Sequence, residues 1–256
     1  METHRARRVL RPDRGGSSWP ALIETDAGMF YTKLRGAAQA PASLVAEVIV
    51  GALADALGLP VPTRALIDLP AHMDVDNPHP HEEFTDLLRR SVGRNLGFQL
   101  LLNVRSFRPI DLPDVEPELA SSIVWLDGLV QNPDRTAKNP NLRVSRERLW
   151  LIDHGASLGF HHDWRLVTED SPRARYWQVG SHVLQSRATH LRSVDEQLAA
   201  RLHRVTLEAA VDAVPDDFLS ADRVDAPRRR AAYVAYLWKR LKEPRPFVPA
   251  NESQES

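Results

Sequence analysis

Length, composition and charge exclude several classes of protein before any motif is considered. The chain has 256 residues, 43% of them hydrophobic, so it can bury a substantial core in one bilobal domain or two small ones. Lys and Arg (33) nearly balance Asp and Glu (34), which argues against nucleic acid or an anionic membrane surface as a partner. The chain has no cysteine, which excludes disulfides and thiolate chemistry. Without a secretory signal or an apolar run of the ~20 residues that span a bilayer, it is expected to be a cytoplasmic globular protein.

The N-terminal part of the sequence predicts a small β-rich lobe. Residues 20–35 predict two strands joined by a turn at Asp26, and residues 43–58 predict a buried helix that ends at Gly58. Residues 61–70 predict a further strand between prolines. We therefore expect an α+β protein with an N-terminal tail over 1–14, an N-lobe over 15–70, a mostly helical C-lobe over 71–246 and a disordered tail over 247–256.

A loop and a strand in the middle of the chain predict the chemistry. A helix over 117–130 leads into NPDRTAKNPN, and an apolar strand LWLI then ends at Asp153, two residues before Gly155. The pattern D-x-x-x-x-N followed by a strand that ends in D-x-G is typical of a phosphotransferase site. Asp134 is then the residue that accepts or orients the proton of a substrate hydroxyl. The competing interpretation is an ordinary surface turn, for which Asn, Pro and Asp are all suited.

Three further side chains complete this predicted site. Asn139 is the expected magnesium ligand by its spacing from Asp134, and Asn141 is the alternative. Asp153 is the second metal ligand, because a carboxylate directly after a buried strand is poorly explained as a surface charge. Lys138 lies between the asparagines and could touch the transferring phosphate as a point charge.

The predicted N-lobe offers candidates for the nucleotide. Glu47 lies in an apolar helix, where a carboxylate is costly without a partner, and Lys33 in the preceding strand could pair with it and reach the nucleotide phosphates. An unrelated surface lysine and glutamate is the alternative. Gly16 and Ser17 lie in a Gly-Gly-Ser-Ser stretch that could cover phosphates through backbone amides, although such a stretch also suits a flexible linker.

Two groups of histidines need a separate interpretation. His72, His79 and His81 fall in one polar segment, and His161 and His162 follow the Asp153 strand. Their spacings match no metal-binding template, so they are predicted to be solvated loop histidines rather than a metal site.

With these residues assembled, the chain resembles the HipA-like kinase family, in its short single-domain bacterial branch. The matching segments are residues 127–141, 149–158, 31–36, 46–62 and 229–241. The resemblance implies a bilobal protein-kinase-like fold that binds ATP and magnesium. It also implies Asp134 as the catalytic residue, Asn139 and Asp153 as metal ligands, and Lys33 as the phosphate-contacting lysine. The site reads N-P-D-R where ordinary protein kinases have H-R-D.

The sequence therefore predicts an ATP- and Mg²⁺-dependent kinase that phosphorylates a hydroxyl, with Ser or Thr of an unidentified protein as the expected acceptor. A kinase acting on a small molecule or a lipid headgroup is the alternative enzyme. A nucleotide-binding pseudokinase with a regulatory role is the alternative from another class. The complete Asp134, Asn139 and Asp153 set argues against the pseudokinase.

Overall fold

A computed structural model describes residues 1–12, 20–37, 40–75, 82–175, 181–219 and 224–249, which form two compact units. The first unit comprises Met1–Val45, Pro62–Leu102 and Pro215–Ala221, and the second comprises Ala46–Val61, Asn103–Val214 and Asp222–Ser256. The strands are β1 (Thr3–Pro12), β2 (Ala21–Thr25), β3 (Gly28–Lys33), β4 (Arg64–Leu69), β5 (Asp74–Val75), β6 (Gly93–Gln99), β7 (Val104–Ser106), β8 (Leu142–Ser145) and β9 (Arg148–Leu151). The helices are α1 (Ala40–Leu57), α2 (Glu82–Arg90), α3 (Pro117–Val130), α4 (Leu191–Arg201), α5 (Arg204–Asp212), α6 (Asp216–Leu219) and α7 (Ala226–Leu241).

The first unit is built on a closed five-stranded barrel. The strands pair in the order β1, β2, β3, β6 and β4, and β4 returns to pair with β1 in the only parallel contact of this circuit. The short β5 also pairs with β1. Apolar side chains of the barrel and of α2 form its core: Ala6, Val9, Ala21, Ile23, Phe30, Leu34, Ala65, Ile67, Leu69, Phe84 and Leu87. Closure leaves the barrel strands without the unpaired edges that invite aggregation.

Two strands of the barrel depart from the sequence predictions. The sequence predicts a tail over residues 1–14, but Thr3–Pro12 form β1, with Ala6 and Val9 buried. Irregularities in its pairing with β2, between Ala6 and Arg8 and between Val9 and Arg11, break the alternation of apolar and polar residues that reveals a strand. In β6 the sequence GRNLGFQ contains residues that disfavour strands, so the sequence does not predict a strand there.

A buried amide and an ion-pair cluster hold the end of β3 in the first unit. Asn95 is fully buried; its Oδ1 accepts the Arg35 N–H at 2.8 Å, and its Nδ2 donates to backbone carbonyls within 3.4 Å. The Asp217 carboxylate of α6 lies 3.1 Å from the Arg35 guanidinium and 2.8 Å from that of Arg94. A residue late in the chain therefore contributes to the N-terminal unit.

The second unit is largely helical, with β7, β8 and β9 as a small antiparallel sheet. Nearly every residue of α3 after its first turn is buried. The C-terminal carbonyls of α3, those of Gly128 and Leu129, accept hydrogen bonds from the fully buried Arg240 of α7, and burial lowers the pKa of Arg240 to about 10. These bonds satisfy backbone groups that a helix end otherwise leaves without partners.

Most of the other predicted elements are confirmed. The strands on either side of the turn at Asp26 are β2 and β3, the helix that ends at Gly58 is α1, and residues 117–130 form α3. The α+β class, with a β-rich N-terminal part and a helical C-terminal part, is confirmed. The kinase-like bilobal arrangement and the predicted domain boundaries stay predictions. Of the predicted C-terminal tail, residues 250–256 lie outside the described residues, but Phe247 is buried, with its ring edge-on to Trp125 at 5.3 Å.

Among the described residues, no helix has the length and the apolar character that crossing a membrane requires.

Gly97 of β6 offers a test of the barrel core. A Cβ on Gly97 would lie 2.5 Å from Ile67 Cγ1 and 3.1 Å from Phe30 Cβ, and both neighbours are buried. Gly97→Ala should therefore destabilise the protein by about 1–3 kcal/mol, the usual range for overpacking. Urea denaturation measures this change. Gly159→Ala is the matched control, because within the described ranges no heavy atom beyond its two chain neighbours lies within 4 Å of the added methyl. Equal stability of the two variants would contradict the packing of β6 against β4.

Candidate active site

The β8–β9 hairpin brings the two predicted parts of the site together. Its tight turn places Arg146 and Glu147 at φ values of 50° and 62°, as a hairpin turn with the right-handed twist of its strands requires. Leu142 pairs with Leu151, so the residues just outside the hairpin also face each other. The Ile152 N–H donates to the Asn141 carbonyl at 3.1 Å. The loop before β8 and the Asp153 position after β9 are therefore held side by side.

The carboxylate of Asp134 binds the side chains of both candidate asparagines. Its Oδ2 accepts hydrogen bonds from Asn139 Nδ2 at 2.9 Å and from Asn141 Nδ2 at 3.1 Å. Asn141 Nδ2 also donates to the Asp134 carbonyl at 3.0 Å. Asn141 is buried and Asn139 is exposed. The two amides hold one oxygen of the carboxylate, and among the described residues nothing donates to Asp134 Oδ1.

Local backbone bonds shape the exposed part of this loop. The Thr136 N–H donates to the Asn139 carbonyl at 3.0 Å, and the Asn139 N–H donates to Thr136 Oγ1 at 3.2 Å. Lys138 lies at the tip of this turn and is exposed. Asp153 is also exposed, with a φ of 56° in the left-handed region that Asp and Asn tolerate better than most residues.

Beneath the loop lies a buried group that we call the Asp127 network: Asp127, Asn132, Arg135 and His182. Arg135 Nε donates to Asp127 Oδ2 at 2.6 Å, and both side chains are fully buried. Asn132 Nδ2 bonds Asp127 Oδ1 at 2.9 Å, and His182 Nε2 bonds Oδ2 at 3.0 Å. Burial by itself would raise the pKa of Asp127, but the Arg135 guanidinium and the His182 hydrogen bond outweigh it and hold that pKa below its usual value.

The Asp127 network is bonded to both sides of the candidate site. Asn132 Oδ1 accepts the Asp134 N–H at 3.1 Å. Arg135 Nη1 donates to the carbonyls of Asn141 at 2.6 Å and Ile152 at 3.3 Å. One guanidinium therefore fixes the loop that contains Asp134 to the strand end that leads into Asp153.

These supporting residues were missed by the sequence analysis, although two of them leave a signal. Asp127 is the only charged residue of α3 after its first turn, in its last, otherwise apolar turns. A carboxylate near the C-terminus of a buried helix is unfavourable and calls for a cation, which Arg135 of the motif itself supplies. His182 lies in an irregular segment with no comparable pattern.

The arrangement can bind a divalent cation by its donor chemistry. Among the described residues, no cluster of three or more His, Asp or Glu side chains is placed to hold a metal. The set at Asp134 combines carboxylates with amides, and among the described residues neither the Asn139 nor the Asn141 side-chain oxygen accepts a hydrogen bond. Magnesium is bound in proteins by one or two carboxylates together with substrate phosphates and water, so the residues present fit this ion.

The predicted nucleotide-binding residues are located less completely. Lys33 ends β3 in the first unit and is 9% exposed, and Glu47 of α1 belongs to the second unit and is fully buried. Their pairing stays a prediction. Gly16 and Ser17 lie outside the described residues.

One histidine prediction is wrong. His72 and His162 are exposed, as expected, and His79 and His81 lie outside the described residues. His161, however, is buried; its Nδ1 lies 3.0 Å from the Tyr233 hydroxyl in an aromatic group that includes Phe160. It is a core side chain rather than a solvated one, because the polar His-His-Asp sequence conceals a turn packed against α7.

A family model described as HipA-like kinase matches residues 6–237, from β1 to α7. The match covers most of the chain and includes every described residue of the candidate site, so the chain belongs to the HipA-like kinase family. The family identifies it as a kinase-type phosphotransferase. No curated protein and no solved structure shows a match to this chain.

The Asp127 network can be tested through its cation. Arg135→Met removes the cation and leaves a fully buried carboxylate uncompensated, which should lower the free energy of unfolding by about 3–5 kcal/mol. Arg204→Met is the matched control, because it breaks the exposed Arg204–Glu208 pair and should cost less than about 1 kcal/mol. Chemical denaturation at pH 7 measures both variants. A similar cost for both would show that Asp127 does not depend on Arg135.

His161 predicts a pH dependence of stability. Burial, followed by repulsion from His162 and Arg229, lowers its pKa to about 3, whereas an unfolded histidine titrates near 6.5. Between these two pH values only the unfolded chain binds the proton. The contribution of the neutral, buried His161 to the free energy of unfolding is therefore complete above about pH 6.5 and is lost as the pH falls towards 3. In this range the free energy of unfolding falls by up to about 1.4 kcal/mol, the value of one pKa unit, for each unit of pH. His161→Gln should therefore show a shallower loss of stability from pH 6.5 to 4.5, measured by denaturation.

The exposed His72 supplies the control. His72→Gln should retain the slope of the unmodified protein in the same pH range. An unchanged slope in His161→Gln would contradict the buried, neutral state of His161.

Proposed function

We propose that this HipA-like kinase transfers the γ-phosphate of ATP, in the presence of Mg²⁺, to a hydroxyl group, with Ser or Thr of a protein as the acceptor. The observation that supports this most directly is the shared position of Asp134, Asn139 and Asn141, which the β8–β9 hairpin holds beside the strand end leading into Asp153. An amide and two carboxylates in this order are the groups that phosphoryl transfer uses to orient the nucleophile and to hold the metal.

Asp134 is proposed to position the acceptor. Its Oδ2 is fixed by the two asparagine amides, which leaves Oδ1 to accept the hydrogen bond, and then the proton, of the attacking hydroxyl. The exposed Lys138, four residues on, can contribute positive charge to the transferring phosphate.

Asn139 and Asp153 are the proposed metal ligands, with the Asn141 side-chain oxygen as the alternative to Asn139. Bound magnesium would neutralise charge that develops on the phosphate oxygens. An amide oxygen suits an ion that phosphates already coordinate, because the ion then needs no further full charge. The left-handed backbone at Asp153 and the hydrogen bond between Ile152 and Asn141 fix the direction from which its carboxylate leaves the chain.

Lys33 is proposed to contact the nucleotide phosphates, with Glu47 as its partner. The sequence supports this proposal, because a carboxylate in an apolar helix is costly without a partner. Glu47 is fully buried and Lys33 is nearly so.

A thermal-shift titration tests nucleotide binding. ATP with Mg²⁺ should stabilise the protein by about 2.7 kcal/mol when it is present at a hundred times its dissociation constant. The magnesium-dependent part of the shift should disappear in Asp153→Asn, since Asn removes the charge and still tolerates the left-handed backbone. Asp170→Asn, at an exposed aspartate that has no proposed role in binding, should retain the full shift. The absence of any shift in the unmodified protein would overturn the proposal.

Asp134→Asn separates chemistry from binding. The asparagine oxygen can still accept from Asn139 and Asn141, but it cannot take a proton, so transfer from γ-labelled ATP should fall by about 10²–10⁴-fold while the thermal shift persists. Full transfer activity in Asp134→Asn would remove this residue from the mechanism. An unmodified protein that binds ATP but transfers no phosphate would instead favour an ATP-binding regulatory role.

A further inference from the structure

His182 has none of the catalytic or metal-binding roles proposed above, yet both of its ring nitrogens are bonded in a buried position. The side chain is 4% exposed. Nε2 lies 3.0 Å from Asp127 Oδ2, and the Leu184 N–H donates to Nδ1 at 3.0 Å. Because Leu184 supplies the hydrogen to Nδ1, that nitrogen is the unprotonated one. Nε2 therefore carries the hydrogen that Asp127 accepts.

The backbone around His182 is joined to the loop that contains Asp134. His182 forms an antiparallel bridge with Thr136, and the Val183 N–H donates to the Arg135 carbonyl at 3.0 Å. These contacts lie one and two residues after Asp134. A chain segment that follows the loop by more than forty residues is thus fixed to it by both main chain and side chain.

His182 also completes the hydrogen bonding of Asp127. Oδ1 accepts from Asn132 and Oδ2 accepts from Arg135 and His182, with a longer contact of 3.4 Å from Arg135 Nη2 to Oδ1. Without the Nε2 donor, Arg135 is the only partner that the described part of the chain offers to Oδ2. If the Arg135 guanidinium shifted to compensate, its existing hydrogen bonds to the carbonyls of Asn141 and Ile152 would be disturbed. These two bonds set the spacing of the site.

We infer that His182 is a positioning residue for phosphoryl transfer: its Nε2–H orients Asp127, and through Arg135 it keeps Asp134 and Asp153 at the separation that catalysis requires. His182 contacts neither nucleotide nor acceptor in this role. The inference rests on the proposed function for its catalytic consequence, but the ordering of the loop is a property of the chain itself.

Two amide substitutions separate the two nitrogens of the ring. His182→Gln can place a donor where Nε2 lies, whereas His182→Asn can accept from Leu184 as Nδ1 does but is too short to reach Asp127. His182→Asn should lower kcat for transfer from γ-labelled ATP by about 10–100-fold, the range typical of partners that orient site residues. KM for ATP should change much less than kcat, because the alignment of Asp134 with the attacking hydroxyl matters chiefly in the transition state. His182→Gln should restore most of the lost kcat.

Stability and an exposed histidine provide the controls. Both amide variants should remain folded well above the assay temperature, and His203→Asn, at an exposed histidine, should leave kcat and KM unchanged. Equal losses of kcat in both His182 variants, in proportion to a loss of stability, would reduce His182 to a purely structural role and overturn the inference.

Hydrogen exchange keeps the inference distinct from the proposed function. The amides of Asp134 and Thr136 are bonded within the loop, to Asn132 Oδ1 and to the Asn139 carbonyl. They should exchange faster in His182→Asn than in His182→Gln, whether or not ATP is turned over. An unmodified protein that transfers no phosphate would overturn the proposed function alone. Unchanged exchange in both variants would overturn the positioning role.

Discussion

The ion pair between Asp127 and Arg135 is the constraint on which the second unit of this protein depends. Two charges with no exposure to water are costly unless every oxygen and every N–H has a partner, and here the partners are the loop and the strand end of the site. Asn132 and His182 occupy the remaining positions around the carboxylate. Burial of the ion pair is therefore coupled to the position of Asp134. Loosening of the site would leave a buried charge without its hydrogen-bond partners.

Local signals were sufficient for part of this architecture. Features that depend on neighbouring residues in the sequence could be predicted. They are the pairing of Asp134 with Asn139 by spacing, the apolar strand before Asp153, and the helices α1 and α3. The strand β1 could not be predicted, because the irregularities in its pairing with β2 interrupt the alternation of inward and outward residues. The β6 strand was obscured by Gly97, a residue that the sheet needs because Ile67 occupies the space a side chain would take.

The supporting residues of the site show a different limit. Nothing near His182 in the sequence indicates that it bonds Asp127, because the partner lies 55 residues earlier. The role of each asparagine was equally beyond sequence reasoning: spacing favoured Asn139 over Asn141, whereas the structure brings both amides to the same oxygen of Asp134. Long-range hydrogen bonds of buried polar groups have no periodicity, so they emerge only when the chain is folded.

The position of α6 has a consequence for how the protein is made. Asp217 forms ion pairs with Arg35 and Arg94 of the N-terminal unit, and Phe218 and Leu219 beside it are buried. During translation the barrel strands leave the ribosome long before residue 217 is synthesised. For that interval the nascent barrel has two arginines without their shared carboxylate, so the N-terminal unit reaches its final stability only when most of the chain has been translated. Completion of the first unit is thus a late event in the synthesis of the whole protein.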